Sequence, residues 1–371
     1  MKQTIVEMLY VARDPAWAPW AVQYFFLIGL SVGAFLLSLP GLALGRAEWR
    51  ETSRMALLAA LVCGLAAPVA LLSDLHNPGR FLNFYLHPQP NSWMSWGAFF
   101  IPAYVGLLLL YAWAALAPSF RDAASAGGIL APVQRLLGGP ARPGLARILG
   151  LATLFAPRPS APTTAARVLV GKAPPPGTGI FRPSRWNSML LPFQFLATAI
   201  AGAIGMMLLL ERFVGANDRA VEARLNRLLA LSLTIVCAIG AAWFALAMKD
   251  GTTEARAFAQ VAGSPVWRNY ALWSAAAIVA PFAVALLKPR GTGIVTGLLA
   301  LHAAWMFRWI VFIGGQNVPK TGAGIYHHPI ALGPEGWTGI IGTAGLWLVI
   351  LLALTTLLPW SAPRTEQSMG A

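Results

Sequence analysis

Acidic residues are scarce in this chain. It has 13 Asp and Glu against 27 Lys and Arg in 371 residues, and charged residues make up only 11%. A soluble globular domain carries about 25%, so a water-exposed surface over most of the chain is excluded. Cysteine is scarcer still: Cys63 and Cys237 each lie inside an apolar stretch. With no CxxC or CxxCH pattern, the chain cannot by itself ligate an iron–sulfur cluster or attach a c-type haem. Of five histidines, His302 alone lies in the middle of an apolar run; His76 closes one, and His87, His327 and His328 lie between runs. The facing pair of intramembrane histidines that a b-type haem needs is missing, and no metal site is expected. Met1 to Trp20 lacks the apolar centre of a cleaved signal peptide.

What the chain does have is hydrocarbon. It is 57% hydrophobic with a mean hydropathy of +0.63. About 20 apolar residues span a bilayer as a helix, and eight runs qualify: about 19–44, 54–74, 94–117, 189–211, 227–248, 267–287, 292–313 and 338–359. The expectation is an all-α polytopic membrane protein, one integral-membrane domain over 1–371, with eight transmembrane helices in two four-helix bundles: helices 1–4 (about 19–211) and 5–8 (about 227–359). The net charge of +14 sits in loops between the runs, where it sets topology and meets anionic lipid rather than nucleic acid.

Eight strictly alternating crossings put both termini and the loops at 75–93, 212–226 and 288–291 on one side. The loops at 45–53, 118–188, 249–266 and 314–337 then lie on the other. The 118–188 segment is rich in Pro, Gly, Ala and Arg, and its one apolar piece, 145–156, is too short to span. It reads as an irregular surface loop with a surface helix. The second side holds more Lys and Arg, though many sit in the long loop, which counts for less; this favours a cytoplasmic second side.

One stretch, residues 74–96, holds an acid, two histidines, an arginine and two tryptophans between two apolar runs. Groups of this kind at a membrane surface mark function when they are not simply paired. Under the alternating topology, four helix ends meet on one face: Gln23 and Tyr24 from helix 1, Asp74 and His76 from helix 2, Trp93 and Trp96 from helix 3, Glu211 and Arg212 from helix 4. Oxidising a quinol requires an apolar slot, hydrogen-bonding groups at the ring oxygens and a titratable proton acceptor. Asp74 and His76 suit the proton role, Gln23 or Tyr24 a ring oxygen, and Trp96 or Trp93 the ring face. The alternative is an interfacial aromatic belt with an Asp74–Arg80 salt bridge. His302 reads as a hydrogen-bonded interior residue with a secondary claim on a proton path. Arg308, two turns from the second side, either snorkels or pairs inside the second bundle. A secondary transporter or proton channel would place paired polar residues at the midplane, where only His302 lies.

Trp20-Ala-Val-Gln-Tyr-Phe-Phe-Leu-Ile-Gly29, Asp74-Leu-His76 and Trp-Met-Ser-Trp-Gly (93–97) resemble the NrfD/polysulfide-reductase family of quinol-interacting membrane subunits over roughly residues 14–104. The resemblance implies a haem-free subunit of the bacterial inner membrane, beside a four-cluster iron–sulfur subunit and a molybdopterin catalytic subunit. It implies that menaquinol or ubiquinol is oxidised at the periplasmic face, by Asp74 and His76 with Gln23, Tyr24, Arg80 and Trp96, for reduction of tetrathionate or a related sulfur compound. The same complex running in reverse would reduce quinone. Where one branch of the family has a histidine one turn into helix 1, this chain has Tyr24, so the partner of the quinone oxygen stands open between Gln23 and Tyr24. An iron–sulfur subunit is expected over residues 75–93 and 212–226.

Overall fold

The computed structural model describes residues 19–75, 77–89, 93–125, 127, 129–155, 190–249, 251–259, 261–315, 330–358 and 360. Among them every regular element is helical, and eight helices are long and apolar enough to cross a membrane. In chain order these are α1 (Pro19–Leu42), α2 (Arg50–Ser73), a short α3 (Asn83–Leu86), α4 (Trp93–Ser125), the non-spanning α5 (Ala131–Leu137) and α6 (Pro143–Phe155), α7 (Leu191–Phe213), α8 (Arg219–Ala247), the short α9 (Thr253–Ala259), α10 (Pro265–Leu287), α11 (Gly293–Trp309) and α12 (Trp337–Leu357). A π-turn over Ile310–Gly314 extends α11.

The apolar runs form helices because hydrocarbon offers the backbone no other hydrogen-bond partners. Their directions follow from polar and small residues at the contacts. Ser31 donates to the Ala60 carbonyl at 2.7 Å, and Gly41 N–H donates to Ser53 Oγ at 3.0 Å, so α1 and α2 are antiparallel. Ser31 and Tyr104 hydroxyls lie 2.9 Å apart, and Ser38 donates to the Tyr111 hydroxyl at 3.2 Å, so α1 and α4 are parallel. Arg308 bonds both the Phe25 and the Phe195 carbonyls, while the bare Gly33 further along α1 faces Ala199 and Ala203, which lays α7 parallel to α1. Gly205 meets Ala300 and Gly297, while Gly202 meets Ala304; α11 is therefore antiparallel to α7. Glycine is needed along this seam because the helix backbones come too close for a Cβ.

We call the end at which α1 begins proximal. The starts of α4, α7, α10 and α12 lie there with the end of α2. Gly339 at the start of α12 packs on Trp20, and Gly314 on Tyr270. The distal end gathers the α1–α2 connection and the α7–α8 and α10–α11 turns. There Arg224 bonds the Glu48 carbonyl, Asn226 bonds the Pro289 carbonyl, and Arg54 bonds the Trp360 carbonyl beyond α12.

This arrangement corrects the alternating topology. The end of α7 with Glu211 and Arg212 is distal, not beside Asp74, and the loops at 212–226 and 288–291 are distal with it. The described helices begin with α1 at the proximal end and finish with α12 at the distal end, whereas the alternating topology has the first start and the last finish on one side. Since α4 and α7 run the same way, the chain returns from the distal to the proximal end between Ser125 and Leu191. Within that interval α6 packs along the bundle: Gly150 touches Leu39, Ala43 and Tyr111. The 118–188 segment is thus not a one-sided surface loop, although 156–189 lies outside the described residues. Contacts also cross the division between helices 1–4 and 5–8, with α7 packed mainly on α11 and α1, and α12 on α2. Among the described residues the redrawn ends sharpen the charge asymmetry: Arg46, Arg50, Arg54, Arg121, Arg212, Arg219, Arg224, Arg227, Lys288 and Arg290 are distal, whereas Arg80, Lys249, Arg256 and Arg268 are proximal.

Candidate functional site at the proximal end

The α1–α2 register places Pro19–Gln23 beside Pro68–Asp74. Gln23 is 6% exposed and Tyr24 is 7% exposed, both within the apolar packing of α1. The Tyr24 ring meets Phe25 edge-on, with centroids 4.8 Å apart. Asp74 is half-buried and closes α2, its backbone N–H donating to carbonyls of the last turn, including Ala70. Pro78, which removes a donor and resists helix continuation, opens a 3-10 turn over Pro78–Arg80. The chain then folds back onto α4: Tyr85 donates to the Ala98 carbonyl at 3.0 Å, and Gln89 N–H donates to Ser95 Oγ at 3.0 Å. His76 lies outside the described residues, so its expected place beside Asp74 goes undescribed.

The candidate residues do not all converge. Gln23, Tyr24 and Asp74 share the proximal end of the α1–α2 pair, within about one helical turn of depth. Arg80 is exposed on the turn above. Trp96 lies level with Gln23 by the α1–α4 register, but it is 45% exposed and its ring stacks on Phe100 at 6.1 Å. Glu211 is 3% exposed at the distal end, where it accepts from Asp218 N–H at 3.2 Å and secures the α7–α8 turn. His302 accepts from Trp273 Nε1 at 2.9 Å, yet sits on the exposed outer face of α11 rather than in the interior.

Arg308 is the residue the sequence misplaced most. Because α11 runs towards the proximal end, Arg308 lies near that end, not two turns from the other side. It does not snorkel, and among the described residues it pairs with no acid. It is 1% exposed and bridges three helices. Nε donates to the Phe25 carbonyl at 3.0 Å, Nη1 to the Ala304 carbonyl at 2.7 Å and to Thr198 Oγ1 at 3.2 Å, and Nη2 to the Phe195 carbonyl at 3.3 Å. Its guanidinium lies 5.5 Å over the Phe195 ring. Phe25 stacks on Phe312 at 4.4 Å, in the π-turn that follows. Phe25 is six residues beyond Pro19, so this cation sits roughly 9 Å along α1 from its start. The signal available in the sequence was a lone arginine inside an apolar run; its carbonyl partners carry no sequence mark.

A multi-pass helical membrane protein with buried polar and cationic groups gathered beneath one face is the class that fold and site define. The profile of the family described as "Polysulphide reductase, NrfD" matches residues 11–320, and the chain belongs to that family. It is 28% identical over 361 residues to a subunit of tetrathionate reductase from Salmonella typhimurium, covering 94% of each chain. It is 25% identical over 337 residues to a subunit of selenate reductase from Mesobacillus selenatarsenatis, covering 85% of this chain and 77% of that one.

Proposed function

We propose that this chain is the quinol-oxidising membrane subunit of a respiratory oxidoreductase complex. Menaquinol or ubiquinol binds at the proximal end of α1 and α2. Its two protons leave through Asp74 and His76, and its two electrons pass to an iron–sulfur subunit docked over the 75–93 loop. A molybdopterin subunit then reduces tetrathionate or a related sulfur compound. The observation that carries this reading is the full-length similarity to a protein named for tetrathionate reductase, together with Gln23, Tyr24 and Asp74 at one end of an otherwise apolar helix pair.

The residues fit a quinol. Gln23 offers both donor and acceptor to a ring oxygen in an apolar setting, and the half-buried carboxylate of Asp74 stands about one turn above it as proton acceptor. Tyr24 and Trp96 remain alternatives for ring contact, and Arg80 stands at the mouth. Docking over 212–226 is not part of the proposal, because that turn is distal. The concentration of arginine at the distal end favours a cytoplasmic distal face and a periplasmic quinol site in the bacterial inner membrane.

Asp74→Asn keeps shape and hydrogen bonding but removes the base. Quinol turnover by the assembled complex is expected to fall by the roughly 10²–10⁴-fold typical of general acid–base groups. An exposed ion pair is worth only about 0–1 kcal/mol, so near-normal turnover in a correctly assembled Asp74→Asn complex would make Asp74 structural and defeat the assignment.

A further inference from the structure

Six residues of α8, Ala220, Ala223, Arg224, Arg227, Leu228 and Leu231, share one helical face and line a depression of about 390 Å³ at the distal end, closed on its other side by Arg290. The depression is held in shape by α8 itself. The Glu222 carboxylate accepts the backbone N–H groups of Gly291, at 2.9 Å, and Gly293, and Asn226 Nδ2 donates to the Pro289 carbonyl at 3.0 Å. Gly291, at φ +80, allows the turn that presents Arg290. Arg224 is steadied by the Glu48 carbonyl and by the Trp49 ring, 5.6 Å from its guanidinium.

The Glu222 carboxylate is thereby committed to backbone amides. Among the described residues, none of Arg224, Arg227 and Arg290 pairs with a carboxylate. Three guanidiniums thus surround a concave site at the end of a membrane span. Below them the same face becomes apolar, with Leu231 58% exposed and Ile235, one turn further into the membrane, 47% exposed. A cationic rim above an apolar strip matches one ligand chemistry: a phosphodiester headgroup carrying acyl chains.

We propose that this depression binds an anionic phospholipid, its phosphate against Arg227 and Arg290 with Arg224 behind, and one acyl tail along Leu228, Leu231 and Ile235. Guanidinium forks suit phosphate oxygens, and basic pockets between membrane helices bind such headgroups. The site lies at the opposite end from the proposed quinol site and does not depend on it.

The test uses the full chain purified in neutral detergent. Native mass spectrometry and thermal unfolding are followed as phosphatidylglycerol, phosphatidylcholine or inorganic phosphate is added. Phosphatidylglycerol is expected to bind and raise the melting temperature, and Arg227→Gln/Arg290→Gln to weaken that binding roughly 30-fold. Both residues are exposed, so this variant is expected to fold; Arg227→Lys/Arg290→Lys, which keeps the charge but not the fork, should recover part of the binding. Equal binding of phosphatidylcholine, an unaffected Gln variant, or equal stabilisation by inorganic phosphate would each overturn the proposal.

Discussion

Gly29 and Arg308 make the most exacting test of the packing. A Cβ built on Gly29 would lie 2.6 Å from Arg308 Nη2 and 3.4 Å from Cζ and Nε. The guanidinium cannot simply swing away, because four hydrogen bonds from three nitrogens tie it to α1, α7 and its own helix. Gly29→Ala should therefore behave as overpacking and cost about 1–3 kcal/mol. Arg308→Met is a different perturbation. It removes hydrogen bonds to a charged donor, each worth about 1.5–3 kcal/mol, but it also removes the penalty of a buried cation without a counterion, several kcal/mol by itself. Phe25, Phe195 and Ala304 lie within helices, so their carbonyls can keep the intrahelical bond when the arginine goes. The two terms oppose each other, so the net loss of stability is expected to be smaller than the four hydrogen bonds alone would imply. In the Arg308→Met background the added methyl of Gly29→Ala meets a flexible thioether, so most of its cost should vanish. The double-mutant cycle, read from thermal unfolding in detergent, should give a coupling of about 1–3 kcal/mol. Additivity within about 0.5 kcal/mol would show that Arg308 does not occupy the space beside Gly29.

Two further outcomes follow from the helix directions and the α1–α4 seam. A cysteine label at Asn83 and one at Lys288 should react from opposite sides of the membrane, and a reporter after Ala371 should lie with Lys288; the same side for Asn83 and Lys288 would refute the parallel α4 and α7. Ser31 already donates to the Ala60 carbonyl, so Tyr104 donates to Ser31. Tyr104→Phe loses one hydrogen bond, about 1 kcal/mol, while Ser31→Ala strands a buried Tyr104 hydroxyl and should cost more, about 1–3 kcal/mol; the reverse order in unfolding measurements would contradict the seam.

The sequence by itself determined that this is a polytopic helical membrane protein and where its spans lie. The run at about 19–44 is α1, that at 189–211 is α7, and that at 338–359 is α12 within a few residues. Hydropathy reads such lengths because each spanning helix must satisfy its own backbone and show apolar side chains to lipid. It also isolated Gln23 and Asp74, since polar groups stand out against hydrocarbon. Direction was another matter. Counting runs assumes that each reverses the last, and the interval 126–190 contains no run long enough to register. Only the pairings of Ser31 with Tyr104 and Ser38 with Tyr111, and of Phe25 with Phe195 through Arg308 and Gly33 with Ala199, revealed that α4 and α7 run parallel. That reversal moved Glu211 away from Asp74 and brought Arg308 to the proximal end. A side chain's neighbours depend on which face of which helix it meets and in which direction that helix runs. Backbone carbonyls, which hold Arg308, are the same in every residue and leave no trace in the sequence.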